Sequence, residues 1–309
     1  QDSSSPELCS LDLGTIIQAR RTRGEPVRLD RAALVAKATL PYLLGNRTLL
    51  EGIRRAPWMS SPDAKGNWQA IPLPSHGMER PDPKRFVQSL KRALLDECRP
   101  YLEGAVTVGI LLSGGMDSRV LAGTIRALQE ESGRVFSVVG LTWGRDNSRD
   151  VIYARRITER FGWDWQHYSI TANSLAANIS YMAQMGAEVS PLHLHAMPQV
   201  SRTDGLDVVM AGSYGDSVGR AEFSGRRVTK LRPVLPRRLD RFGVVRVEAV
   251  ASSEPELRKD VTDTPHLDDQ TQSLRRREIE QEMHYMRRML QSCMLSIAWN
   301  KRFYQLFTS

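Results

Sequence analysis

The sequence has only three cysteines in 309 residues, Cys9, Cys98 and Cys293. An odd number, widely spaced, gives neither a disulfide framework nor a CxxC zinc or redox motif, and it suits a reducing compartment, the cytoplasm. No apolar run approaches the ~20 residues that cross a bilayer, so no membrane partner is expected. The N-terminus, QDSSSPELCS, lacks a basic-then-apolar signal pattern. It also does not start with Met and reads as a cut or processed start. Aromatics make up 7% of residues, and the most basic stretch has no aromatic interleaving that supports base stacking. A further absence matters more. The glycine-rich turn in GILLSGGMDSR, residues 109–119, carries no lysine. The GxxxxGK[ST] pattern is therefore missing, and transfer of a γ-phosphate is not the chemistry the turn suggests.

What is present is ordinary for a soluble globular chain: 41% hydrophobic residues, 25% charged, and a net charge of +8. The positive excess gathers between Arg220 and Arg246 in RAEFSGRRVTKLRPVLPRRLDRFGVVR. A surface for nucleic acid or an anionic substrate is one reading; a solvated excursion is the plainer one, and nucleic acid is not expected as a partner. Residues 1–83 read as irregular, with a helical pattern in LDRAALVAKATLPYLLG, then LLEGIRRAPWM, and a Pro-rich connector, GMERPDPKR.

From Arg85 the pattern becomes regular. RFVQSLKRALLDECRPYL spaces Phe86, Leu90, Leu94 and Leu95 as a helix does. Residues 105–112 form a short β-branched apolar run, the pattern of a strand buried on both faces. A helix over 118–130, a strand over 135–141, a helix over 150–161, a strand over 165–170, a helix over 175–185 and a strand over 206–211 follow. Asp150 is the expected N-cap of the 150–161 helix and Gly162 its stop. This alternation predicts an α/β fold, a doubly wound parallel sheet of Rossmann-like type with helices on both faces. Arg275–Phe303 reads as one long amphipathic helix.

In such a sheet, ligands bind beyond the carboxyl ends of the strands. SGGMDS falls there, after the first strand. Gly114 and Gly115 let the backbone approach an anion, the following amides are expected to point outward, and the next helix adds a favourable partial charge. Ser113 and Ser118 offer hydroxyls. Asp117 beside a phosphate is repulsive unless a cation lies between them, as Mg²⁺ would; alternatively it only caps the following helix.

SGGMDS resembles the SGGxDS pyrophosphate loop of the N-type ATP pyrophosphatases, the PP-loop or adenine nucleotide alpha hydrolase-like superfamily. Within it, FSVVGL, DNSRDVIYARRITERFGWDWQHYSI, VVMAGSYGDSVG and LLEGIRRAPWM are similar to stretches of the glutamine-hydrolysing asparagine synthetases, over residues 29–218. The resemblance implies a division into residues 1–83, like the end of a glutaminase domain, and 84–309, a synthetase domain with a basic insertion at 219–274. It implies ATP and Mg²⁺ as cofactors, with the loop holding the β,γ-phosphates as leaving pyrophosphate. A carboxylate of aspartate or a related acid attacks the α-phosphorus, and an amine or ammonia then displaces AMP to give an amide. Ser113, Gly114, Gly115, Asp117 and Ser118 match the pyrophosphate loop. Leu112, Val139 and Gly212 match positions that hold adenosine through backbone groups. Asp117 and Asp216 match the acidic residues that serve the metal and catalysis.

The sequence departs from that family's pattern at four places. Ser213 and Ser217 stand where asparagine synthetases carry acidic residues, which bears on the amino-acid substrate. Gln1, not a cysteine, begins the chain, and Cys9 is no substitute, so glutamine hydrolysis is not expected from this polypeptide. The lysine that the family places beyond its last helix has no aligned counterpart in Lys301 or Arg302. The basic insertion has no counterpart either. His193 and His195 form an HxH pair without a third ligand at suitable spacing, which favours packing or substrate contact over a metal. Alternatives for the whole are a specialised amide former of the β-lactam synthetase or lasso-peptide cyclase type, a PP-loop tRNA-modifying enzyme, or a non-catalytic nucleotide-binding module.

Overall fold

The computed structural model of the chain describes residues 1–10, 13–39, 43, 46–57, 60–71, 82–132, 136–184, 186–187, 190–213, 245–262 and 302–307. Most of the basic stretch 220–246, Asp216 and Ser217, and all but the end of the expected 275–303 helix lie outside the described residues. None of the described helices is long and apolar enough to cross a membrane.

The chain forms two compact units, one from Gln1–Ser75, Ile179–His193 and Arg226–Cys293, the other from His76–Asn178, Leu194–Gly225 and Met294–Ser309. The second contains α3 (Pro83–Leu102), β3 (Thr107–Leu111), α4 (Met116–Ser132), β4 (Ser137–Gly144), α5 (Arg149–Phe161), β5 (Asp164–Ser169), α7 (Met197–Ser201), β6 (Val208–Ser213) and β7 (Arg302–Phe307). Their strands form one parallel sheet in the order β5-β4-β3-β6-β7. From β3 the chain winds outward through β4 to β5, then continues on the other side with β6. The order therefore reverses between β3 and β6, the place where such sheets open a crevice for ligands. This is the α/β fold expected from the alternation.

Local chemistry explains the elements. Asp82 caps α3 by accepting the Arg85 amide at 3.0 Å, with proline at the first helical turn. Leu94, Cys98 and Leu102, four residues apart, put one face of α3 into a core shared with Val108, Ile110, Leu121, Ile125, Val138 and Met210. Each such side chain, when fully buried, contributes roughly 1.5–3 kcal/mol. Gly162 ends α5 in the left-handed conformation, φ 66°, as its position predicts. The expected long C-terminal helix needs one correction: Arg302 and Phe303 belong to strand β7, which runs beside β6 from Val208↔Arg302 to Ser213↔Phe307.

The first unit contains α1 (Leu13–Thr22), α2 (Arg31–Thr39), the hairpin of β1 (Ser60–Pro62) and β2 (Trp68–Ala70), and α8 (Val247–Thr262). α6 (Ala172–Gln184) runs across the boundary between the units. The early segment is thus not irregular. Ala33, Val35 and Ala36 of α2 pack with Leu43 and with Val250 and Leu257 of α8. The buried Arg47 is held between Asp30 at 2.6 Å and Asp260 at 2.5 Å.

Candidate functional site

β3 delivers the loop. Its residues Val108 and Ile110 are wholly buried, and its last residue, Leu111, pairs with Leu141 on β4 and Ala211 on β6. The strand is central, so the turn that follows emerges at the carboxyl edge where the strand order reverses. Leu112 is 2% exposed. Its amide donates to the Leu141 carbonyl at 2.9 Å, and its carbonyl accepts from the Thr142 hydroxyl at 2.9 Å.

Ser118, 6% exposed, sits inside the turn. Its Oγ accepts the Ser113 amide and lies 3.1 Å from the Ser113 and Gly115 carbonyls, either of which takes its proton. Ser113 Oγ accepts the Gly115 amide at 3.1 Å. The Gly114 amide donates outside the loop, to the Asp150 carboxylate at 3.0 Å. The glycine amides, expected to point outward, therefore each have an acceptor within the protein. All three acceptors of the turn's amides are side-chain oxygens, from Ser118, Asp150 and Ser113. Asp117 lies in the first turn of α4, where its charge suits the helix dipole.

The structure thus brings Ser113, Gly114, Gly115, Asp117 and Ser118 into one turn, with Leu112 at its root. Gly212 lies one step past Ala211 on β6, level with Leu112 across the sheet. Val139 is placed differently: it is mid-strand on β4, paired with Gly109 on one side and Asp164 on the other. It lies two residues short of Leu141, the residue level with the end of β3. Asp216 lies outside the described residues.

Asp150 is a correction. It does not cap α5; Ser148, with φ −70° and ψ 150°, holds that position, and α5 starts at Arg149. One turn along, Tyr153 packs on Gly114: a Cβ added to that glycine would meet Asp150 Oδ1 at 3.0 Å and Tyr153 side-chain carbons at 3.4 Å. Sequence reasoning missed this pair because it assigned Asp150 to the helix cap. Arg149 and Arg156 place their guanidinium carbons 5.5 Å and 5.8 Å from the Tyr153 ring centre.

The two histidines take separate roles. His195, in a positive-φ conformation of 48°, stacks on Trp143 with ring centres 5.7 Å apart, and its carbonyl accepts from the buried Asn178. Burial, with the charge of Lys37 adding, pushes the pKa of His193 down. Among the described residues no three His, Cys, Asp or Glu side chains form a ready metal cage. Mg²⁺ is held by one or two carboxylates together with phosphate oxygens and water, a donor set that Asp117 at the loop fits.

A comparison with curated proteins gives no match. Among solved structures, NMN synthetase from Francisella tularensis is similar at 21% identity and a TM-score of 0.30, over 47% of this chain and 60% of that one. This chain thus spans less than two thirds of that relative's length. The U34-tRNA thiolase from Methanococcus maripaludis is similar at 14% identity and a TM-score of 0.31, over 71% of this chain and 79% of that one. The asparagine synthase family matches residues 89–301, well over half of the sequence and all of the sheet up to β6. The chain belongs to the asparagine synthase family.

Proposed function

We propose that the chain is an AMP-forming amide ligase that activates a carboxylic acid as its adenylate. The observation that supports it is the turn itself. A lysine-free ring of amides and hydroxyls, with Asp117 in it, stands beyond the central strand. Such a turn suits the outer two phosphates of ATP as a departing unit. The acid oxygen bonds to the α-phosphorus as the bond to the bridging oxygen of pyrophosphate breaks, and an amine or ammonia then takes the acyl group and releases AMP. Mg²⁺ would be held by Asp117, with Asp216 as second carboxylate, and would supply charge neutralisation; the protein's own part is to orient the leaving group and screen it with fixed dipoles.

The proposal includes a cytoplasmic enzyme whose residues 84–309 do the synthetase chemistry, with aspartate or a related acid as substrate and a glutaminase domain or subunit as nitrogen source. Backbone groups around Leu112 and Gly212 serve the adenosine in this reading. The test is product analysis with ATP, Mg²⁺, aspartate and ammonium: AMP and pyrophosphate are the expected products. Appearance of ADP and orthophosphate would sink the reading. AMP formation without asparagine would move the substrate to another acid or acceptor.

A further inference from the structure

The loop has three mapped amides, and their acceptors differ in kind. Those of Ser113 and Gly115 go to neutral hydroxyls inside the turn. That of Gly114 goes to a full negative charge brought from α5, thirty-six residues away in sequence. The approach is built in. Asp150 and Tyr153 share one face of α5, three residues apart, and Tyr153 packs against Gly114. Asp150 is exposed at the rim.

We propose that Asp150 is a specificity-determining residue that makes the turn select metal-complexed pyrophosphate over the bare anion. The proposal rests on the reading of this turn as a pyrophosphate holder. An oxygen of free pyrophosphate that takes the Gly114 amide must displace a carboxylate and then lie beside it. Two like charges about 4 Å apart repel by about 1 kcal/mol even at the dielectric of water. A divalent cation reverses the sign, because carboxylate and phosphate oxygens then share it. Asp150 thereby penalises the unmetallated ligand and leaves the metallated one accommodated.

The experiment uses the full chain with inorganic pyrophosphate as probe, titrated calorimetrically with Mg²⁺ and with EDTA, alongside the Gly114 amide resonance. Wild type is expected to bind about fivefold more tightly with Mg²⁺ than without. Asp150→Ala is expected to bind metal-free pyrophosphate about fivefold more tightly than wild type, and its advantage from Mg²⁺ shrinks to about twofold or less. Its Gly114 amide resonance should move even before ligand is added. Asp150→Asn keeps the side-chain shape and an acceptor without the charge, so it should show the same loss of Mg²⁺ preference with a smaller resonance shift. Pyrophosphate binding by both variants with the wild-type ratio between the two conditions overturns the proposal alone. Wild type that binds pyrophosphate in neither condition overturns the proposal together with the reading of the turn.

Discussion

At the residue scale the loop separates groups that shape the turn from the group that would meet the metal. Ser118 is buried, and its hydroxyl supports the Ser113 amide. Ser118→Ala leaves that amide without its acceptor, which costs about 1–3 kcal/mol. The expected result is a lower thermal midpoint together with weaker ATP binding; a variant with wild-type stability would remove Ser118 from the turn's frame. Asp117→Asn is different. It keeps the side chain's shape and removes its charge, so pyrophosphate release should fall by at least about a hundredfold, on the scale of losing one electrostatic group, while stability falls only by the helix-dipole contribution of about 0.3–1 kcal/mol. Activity within threefold of wild type would assign Asp117 to helix capping alone. A third residue tests burial. Burial pushes the Cys98 thiol up to about 12, helped by the nearby Glu97 charge, whereas Cys9 is exposed. At pH 8, iodoacetamide should modify Cys9 in the folded protein and reach Cys98 only on unfolding. Modification of Cys98 in native buffer would show that α3 opens readily.

At the scale of elements, two glycines next to α5 separate backbone geometry from space. Gly162 stands in the left-handed region at φ 66°, and a Cβ there would meet nothing within 4 Å. Gly162→Ala should therefore cost only the backbone term, about 1 kcal/mol. Gly140 in β4 has ordinary backbone, but an added Cβ would collide with the Thr158 methyl of α5. Gly140→Ala should cost about 1–3 kcal/mol and loosen α5 from the sheet. Equal losses from the two, read by chemical denaturation, would contradict this division. The same elements show what was legible in advance. β3 and β4 are buried on both faces and read as apolar runs, and α5 was bracketed within one residue at its start, because Gly162 marks its end. β7 was not legible. RFYQLF continues a helical pattern, and its strand form depends on pairing with β6, about ninety residues earlier, which no local period encodes. The hairpin β1–β2 has strands of only three residues with few apolar side chains, too short for alternation to register. That residues 113–118 form one turn after a central strand was legible from their types; the contact of Asp150 with it was not, because that carboxylate bonds to Gly114 and not within its own helix.

At the scale of the whole molecule, charge pairs close long loops in the first unit. Asp2 has no exposed side-chain surface; its carboxylate takes the Arg20 guanidinium at 2.6 Å and meets Arg23 at 3.2 Å. Arg47, 4% exposed, pairs with Asp30 and, 213 residues further along the sequence, with Asp260. Removing one partner strands a buried charge, so Arg47→Met should destabilise this unit by about 3–5 kcal/mol. The pH dependence follows from two groups. The Arg20 hydrogen bond, against the opposing effect of burial, holds Asp2 well below the usual carboxylate range. Burial, reinforced by Lys37, holds His193 below an ordinary imidazole. In both cases the unfolded chain binds the proton more readily than the folded one, so stability falls as pH falls. The His193 contribution is complete above the unfolded value near ~6.5 and is lost on descending through its lower folded value; that of Asp2 is complete above ~3.9 and is lost below it. Thermal melts from neutral to acid pH should accordingly decline in two stages. His193→Gln should flatten the upper stage and Asp2→Asn the lower, the latter from an already reduced midpoint. A single acid transition unaffected by either substitution would mean that neither group couples protons to folding. Persistence of the lower stage in Asp2→Asn would show that Asp2 does not carry it.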